Sequence, residues 1–123
     1  MFRIKNFPKR GPLIIAAALV FCVGVAWAHA VLVASIPEAN AIVNGPSVDI
    51  ILKFNVRVDT KRSFIRLESA DGDARSLALL PGGAANVIVT RANDLKPGKY
   101  KLSWQALASD GHITRGEVPF SAR

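Results

Sequence analysis

The sequence predicts an all-β fold, a Greek-key β-barrel or sandwich of about seven antiparallel strands in one domain. Short runs in which apolar and polar residues alternate recur along residues 29–123. Glycine, proline, asparagine and aspartate separate these runs, as they do at turns between strands. No run has the 3.6-residue apolar period of a helix. Strands at this spacing are typical of immunoglobulin-like sandwiches and Greek-key barrels.

The first half of the domain contains two predicted strands. Residues 30–35 are apolar except for Ser35, and residues 37–46 form a connection bounded by prolines. Residues 48–55 follow, with Ile50, Leu52 and Phe54 at alternate positions. Because side chains in a strand alternate between faces, these three predict one buried face.

The second half continues the pattern with shorter strands and clear turns. Residues 64–68 lead to an Asp71-Gly72 turn, residues 77–80 to a Pro-Gly-Gly turn, and residues 86–90 follow. Residues 99–107 and 116–121 are the last two predicted strands. Alternation predicts that the large aromatic residues belong to the core, namely Phe54, Phe64, Tyr100, Trp104 and Phe120.

Residues 1–28 are predicted to be a signal peptide. Arg3, Lys5, Lys9 and Arg10 form a basic start, an apolar run follows, and Ala26-Trp27-Ala28 is a small-x-small cleavage site. An uncleaved membrane anchor is the alternative, but the apolar run is shorter than the roughly 20 residues that a spanning helix needs. We therefore expect export to the periplasm, with no membrane insertion after cleavage.

Removal of the leader changes the charge and the sulfur content. The net charge of +7 falls to about +3, because all acidic residues follow the leader. The remaining basic residues are scattered among acids, which argues against a nucleic-acid surface. The leader also holds Cys22 and Met1, which are the only sulfur-containing residues of the chain.

Cleavage after Ala28 would make His29 the first residue. A free α-amino group and the Nδ1 atom of the same histidine can chelate one metal ion through a six-membered ring. This chelate requires that nothing precede the histidine. Both nitrogens bind metal only without their protons, so we expect affinity to fall on acidification.

The second candidate feature is Asp110-Gly111-His112, which contains the only other histidine. In an extended segment, residues two apart point the same way, so Asp110 and His112 could approach one ion together. The alternative is an ordinary turn with polar side chains. Metal binding further requires that the start of the first strand lie beside this loop.

The nitrogen and oxygen donors of His29, Asp110 and His112 favour Cu(II) or Ni(II), and Cu(II) binds most tightly in the Irving–Williams order. Zn(II) would fit if the geometry were tetrahedral. Cu(I) prefers sulfur ligands, which residues 29–123 do not contain.

At these residues the chain resembles the CopC family of periplasmic copper-binding proteins. Residues 29–40 are similar to the family's opening, a His-Ala pair followed by a Ser-x-Pro turn. Residues 100–104, Asp110-Gly111-His112, Gly116 and Phe120 are similar to its closing pattern. The resemblance covers essentially all of residues 29–123.

The resemblance implies a Greek-key β-barrel that holds Cu(II) through His29, Asp110 and His112, for copper sequestration or delivery. It also implies a partner, a CopD-type inner-membrane protein. Some members hold Cu(I) in a methionine-rich loop, which is absent here, so the chain resembles the Cu(II)-only members. Ser35 and Glu38 could orient a ligand imidazole, or could simply form the Ser-x-Pro turn.

Two other functions remain as alternatives to copper binding without catalysis. A terminal histidine with a second histidine also forms the copper brace of oxidative enzymes that act on polysaccharides. Asp110 would fill a position that oxygen needs there, and the domain lacks a set of exposed aromatic residues to hold a sugar polymer. A metal-free β-sandwich that recognises another protein is the second alternative, and it predicts no loss of function when His29 is replaced.

Overall fold

The computed structural model describes residues 29–123, which form eight β-strands. The strands are β1 (Leu32–Ile36), β2 (Ala41–Val43), β3 (Val48–Phe54), β4 (Phe64–Ser69), β5 (Ala74–Leu77), β6 (Val87–Ala92), β7 (Gly98–Leu107) and β8 (Ile113–Ala122). A short 3-10 helix, Thr60–Arg62, lies between β3 and β4. The predicted signal peptide lies outside the described residues.

The strands form two sheets that pack face to face. One sheet has three strands in the order β1-β3-β6, and the other has five in the order β2-β8-β7-β4-β5. The chain passes repeatedly from one sheet to the other, as in a Greek key. The all-β prediction is therefore confirmed in its sandwich form, with two open sheets instead of a closed barrel.

The core lies between the two sheets and follows the alternation in the sequence. Ile50, Leu52 and Phe54 of β3 are fully buried, and they belong to the same core cluster as Leu102 and Trp104 of β7. The rings of Phe54 and Trp104 pack edge to face with centroids 5.1 Å apart. Phe64 was predicted to be a core residue, but it is 42% exposed, because in β4 it is the next residue, Ile65, that faces inward.

The strand prediction was wrong in two places, and both are sheet edges. Strand β2 pairs in parallel with the end of β8, from Ala41 opposite Phe120 to Val43 opposite Ala122, within the segment predicted as a connection. Strand β5 occupies residues 74–77 instead of 77–80. Edge strands are short and need only one buried face, so alternation identifies them poorly.

Two loop regions lie at the same end of the sandwich and hold the candidate residues. Strand β1 is antiparallel to β3, with Leu32 opposite Phe54, so residues 29–31 lie beside the end of β3. Strands β7 and β8 are joined by a tight hairpin that closes with Leu107 opposite Ile113. Within residues 29–123, no helix is long and apolar enough to cross a membrane.

Candidate metal centre

His112 is held by the hairpin between β7 and β8. The Gly111 amide donates to the Ala108 carbonyl at 2.9 Å, and the Ala108 amide donates to the His112 carbonyl at 2.8 Å. Gly111 has a φ angle of +93°, in the region that glycine adopts at little cost. The segment is therefore a tight turn and not the extended run in which a two-residue spacing alone would align the side chains of Asp110 and His112.

Both carboxylate oxygens of Asp110 contact His112. The His112 backbone amide donates to Oδ1 at 3.0 Å, and His112 Nδ1 lies 2.9 Å from Oδ2. A carboxylate only accepts hydrogen bonds, so the proton is on Nδ1 and the Nε2 lone pair of a neutral ring remains available. Metal-binding histidines commonly donate their second ring nitrogen to a carboxylate in this way.

The same contacts set the charge of Asp110. The His112 backbone amide, helped by the His112 ring, lowers the pKa of the Asp110 carboxyl below its ordinary value, against the opposing effect of desolvation. Asp110 is thus a carboxylate at neutral pH, and its negative charge favours a cation at the neighbouring imidazole.

His29 reaches this hairpin from the other sheet. Its ring packs edge to face against the ring of His112, with centroids 4.9 Å apart and an interplanar angle of 79°. The two imidazoles are therefore in direct contact, and they would be the two ring ligands of an ion bound at this end of the sandwich.

The three candidate residues form a chain of contacts around His112. His29 touches His112 on one side, and Asp110 touches it on the other. Among residues 29–123, no three histidine, cysteine, aspartate or glutamate side chains converge as a ready-made metal-binding group. The chelate considered above also needs an α-amino group, whereas the nitrogen of His29 in the uncut chain is an amide.

Two other residues considered from the sequence have structural roles at the far end of β1. Ser35 lies opposite Leu52, and its hydroxyl donates to the Pro37 carbonyl at 3.0 Å. The Glu38 carbonyl accepts from the Ala41 amide at 3.1 Å. These contacts stabilise the Ser-x-Pro turn, and they are remote from His29 along the strand.

Sequence reasoning missed Asn55, which it treated only as the end of a strand. The Val31 amide donates to Asn55 Oδ1 at 2.7 Å, two residues after His29. A weak signal was present, because asparagine is depleted in strands and its side chain often bonds to nearby backbone groups.

A groove of about 470 Å³ in this domain and the candidate metal centre lie at different ends of the sandwich. The groove lies between the β4–β5 hairpin and the loop before β7, and its lining includes Asp71, Lys96 and Tyr100. Tyr100 is near the beginning of β7, whereas His112 follows its end. The groove therefore lies at the opposite end of the sandwich, and the candidate metal ligands occupy an exposed surface.

Comparisons with known proteins agree on one family. The CopC domain family matches residues 32–123. Protein YobA of Escherichia coli K12 is 33% identical over 102 residues, which cover 79% of this chain and 81% of YobA. Copper transport protein CutJ of Bacillus subtilis is 26% identical over 89% of this chain, but this match covers only 21% of CutJ.

Solved structures lead to the same family. The structure of PcoC, a methionine-rich copper resistance protein from Escherichia coli, superimposes with a TM-score of 0.67 at 27% identity. The match covers 78% of this chain and 100% of PcoC. With a family match over most of its length, a relative above 30% identity and the same two-sheet fold, this chain belongs to the CopC domain family.

Proposed function

We propose that this protein binds one Cu(II) ion after export and cleavage at His29, and that it sequesters or delivers copper without catalysing a reaction. The observation that carries the proposal is the contact between His29 and His112, the only two histidines of the chain. They come from different sheets and meet at an exposed end of the sandwich. Names of relatives in the family, a copper transport protein and a copper resistance protein, support copper as the cargo.

In this proposal, the α-amino group and Nδ1 of His29 chelate the ion, and His112 supplies a third nitrogen. Asp110 completes the set with its carboxylate, whose charge offsets part of the charge of the ion. In the structure both carboxylate oxygens are engaged by His112. Direct ligation would therefore exchange the bond from His112 Nδ1 for a bond to the ion.

The donor set supports Cu(II) rather than Cu(I). Two imidazoles, an amine and a carboxylate are ligands that divalent copper binds well, whereas cuprous copper is favoured by thiolates and thioethers. Residues 29–123 contain no cysteine or methionine. In this respect the chain differs from PcoC, which is described as methionine-rich.

Electron paramagnetic resonance tests the site directly. One equivalent of Cu(II) is added to the mature form, which begins at His29, and to a variant with one glycine added before His29. We expect a tetragonal, nitrogen-rich signal in the mature form that is lost in the extended variant. Identical spectra in both would overturn the chelate, and adventitious Cu(II) binding alone in both would leave a metal-free protein-recognition module as the better interpretation.

Export has its own test. Expression of the full chain, followed by fractionation and mass spectrometry of the periplasmic protein, should give a mature product that begins at His29. A product that retains residues before His29 would contradict the proposal, because the α-amino group would then belong to another residue.

We further propose a CopD-type inner-membrane protein as the partner. The match to CutJ supports a larger assembly, because the region similar to this chain is about a fifth of that copper transport protein. Coexpression with the CopD-type protein should allow copper-loaded protein to be recovered with the detergent-solubilised partner. Recovery that is equal for copper-loaded protein and for a His112→Ala control would argue against copper-dependent docking.

A further inference from the structure

Asn55 holds the residues that follow His29 through two hydrogen bonds to Val31. The Val31 backbone amide donates to the side-chain oxygen Oδ1 of Asn55 at 2.7 Å. The Asn55 backbone amide donates to the Val31 carbonyl at 3.0 Å. Leu32 opposite Phe54 is the last regular pair of β1 and β3 at this end. The side chain of Asn55 therefore continues the ladder by one pair beyond both strands.

Few side-chain contacts of Val31 could replace this clamp. Val31 is 53% exposed, so packing of its own side chain fixes it weakly. The pairing of β1 with β3 also shifts between Leu32 and Ala34, which interrupts the regular ladder just beyond. On the other side of Val31, Ala30 is fully buried. The backbone is thus anchored at residues 30 and 31, immediately before it reaches His29.

We infer that Asn55 is a positioning residue for the copper chelate, an inference that rests on the proposed function. When cleavage frees the α-amino group, the clamp on Val31 leaves only His29 free to rearrange. Its amine and imidazole then stay beside His112 instead of moving with a loose terminus. The chelate of His29 alone does not need Asn55, but joining that chelate to His112 does.

The size of the effect follows from the entropy of the backbone. Fixing one residue costs about 1–2 kcal/mol, which corresponds to a factor on the order of ten in affinity. Asn55→Ala keeps the bond from the Asn55 backbone amide to the Val31 carbonyl but loses the bond from the Val31 amide to Oδ1, so copper must then bear part of the cost of ordering residues 29–31 beside His112. Asn55→Ala should therefore lower Cu(II) affinity on the order of tenfold.

A matched control is Asn86→Ala. Asn86 Nδ2 donates to the Phe54 carbonyl at 2.9 Å, so this variant loosens the same end of β3 without removing the clamp on Val31. Both variants should lower the melting temperature, since each loses one hydrogen bond from a side chain to the backbone. Only Asn55→Ala should weaken Cu(II) binding and speed hydrogen exchange at the Val31 amide in the metal-free mature protein.

A double-mutant cycle with His112→Ala identifies the mechanism. If Asn55 acts by presenting His29 to His112, Asn55→Ala should cause little further loss of Cu(II) affinity once His112 is removed. Asn55→Asp keeps an oxygen that accepts from the Val31 amide, and it should restore the paramagnetic signature of the wild type. Equal losses in both backgrounds, or no rescue by aspartate, would overturn the positioning role.

The proposed function and the positioning role of Asn55 are tested separately. If the wild-type mature protein gives no nitrogen-rich Cu(II) signal, the proposed function fails whatever Asn55→Ala does. If the wild type binds Cu(II) and needs His112, but Asn55→Ala matches Asn86→Ala in affinity and in exchange at Val31, only the positioning inference fails.

Discussion

Asp110 shows how one residue can prepare another for metal binding. Its carboxylate accepts from both the backbone and the ring of His112, so it fixes the orientation of the imidazole and the position of its proton. Its side chain is 35% exposed, and an exposed contact of this kind adds little to folding stability. We therefore expect its main effect on copper binding rather than on stability.

Asp110→Asn should weaken Cu(II) binding. The amide cannot accept two hydrogen bonds from His112 through two oxygens, and it lacks the negative charge, so Cu(II) affinity should fall about 10- to 100-fold. Competition with a chromophoric chelator measures this affinity in the mature protein. The melting temperature without metal serves as the control and should change little. An unchanged affinity would exclude Asp110 from the site.

At the scale of single elements, the outer face of the five-stranded sheet is held by a polar network across β4, β7 and β8. The Ser103 hydroxyl donates to Glu68 Oε2 at 2.6 Å, and Lys101 Nζ lies 3.0 Å from Glu117 and 3.8 Å from Glu68. The hydrogen bond from Ser103, followed by the charge of Lys101, lowers the pKa of Glu68 below its ordinary 4.5.

This network leads to a prediction about acid stability. Because the pKa of Glu68 is lowered by folding, the ionised carboxylate stabilises the fold above pH 4.5, and this contribution is lost as the pH falls through the lowered value. Ser103→Ala should therefore lower the melting temperature most at neutral pH, and the difference from the wild type should shrink on acidification. A difference that is constant or grows in acid would contradict this assignment.

On the inner face of the same sheet, Gly116 makes room for the indole of Trp104. The two residues are paired between β7 and β8, and a Cβ atom on Gly116 would lie 2.7 Å from Trp104 Cε2 and in conflict with Cζ2. Carbon atoms do not approach this closely, so a side chain at position 116 would displace the ring. Glycine is thus required at position 116 because a side chain would have no room beside the indole, and not because the backbone angle is unusual.

Gly116→Ala should lower the free energy of unfolding by about 1–3 kcal/mol, the usual cost of overpacking a core. Chemical denaturation measures this loss, and near-ultraviolet circular dichroism reports the displaced indole. Trp104 Nε1 donates no hydrogen bond to any group within residues 29–123. Trp104→Phe therefore loses packing contacts of the indole ring but no hydrogen bond within those residues. In the Trp104→Phe background the cost of Gly116→Ala should decrease, and an unchanged cost would exclude the clash.

At the scale of the whole molecule, the candidate site joins the two sheets. His29 precedes the edge strand β1 of the three-stranded sheet, and His112 belongs to a hairpin of the five-stranded sheet. An ion bound by both would add a connection between the two layers beside the apolar core that they share. Copper binding should therefore stabilise the folded state as a whole.

Thermal unfolding tests this connection. With free Cu(II) at 100 times its dissociation constant, binding only to the folded state should add about 2.7 kcal/mol to the free energy of unfolding. The melting temperature of the mature form should rise accordingly, and that of the variant with glycine before His29 should rise much less. An equal rise in both would mean that copper binds without the terminal amine.

The sequence by itself determined the fold class, the inward residues of β3, β7 and β8, and the identity of the candidate ligands. Alternation of apolar and polar residues specifies which face of a long strand is buried, so Ile50, Leu52, Phe54, Leu102 and Trp104 were predictable. The candidate ligands stood out because the chain has only two histidines, one of them directly after a predicted cleavage site.

Only the tertiary structure decided what depends on contacts between distant segments. Strand β2 pairs with residues almost 80 positions later, and no local pattern specifies such a pairing. The meeting of His29 with His112, and the clamp of Asn55 on Val31, likewise depend on how β1 lies against β3 and how the two sheets face each other. Packing of the core fixes those relations, and a local sequence pattern records only that a face is apolar, not which surface will cover it.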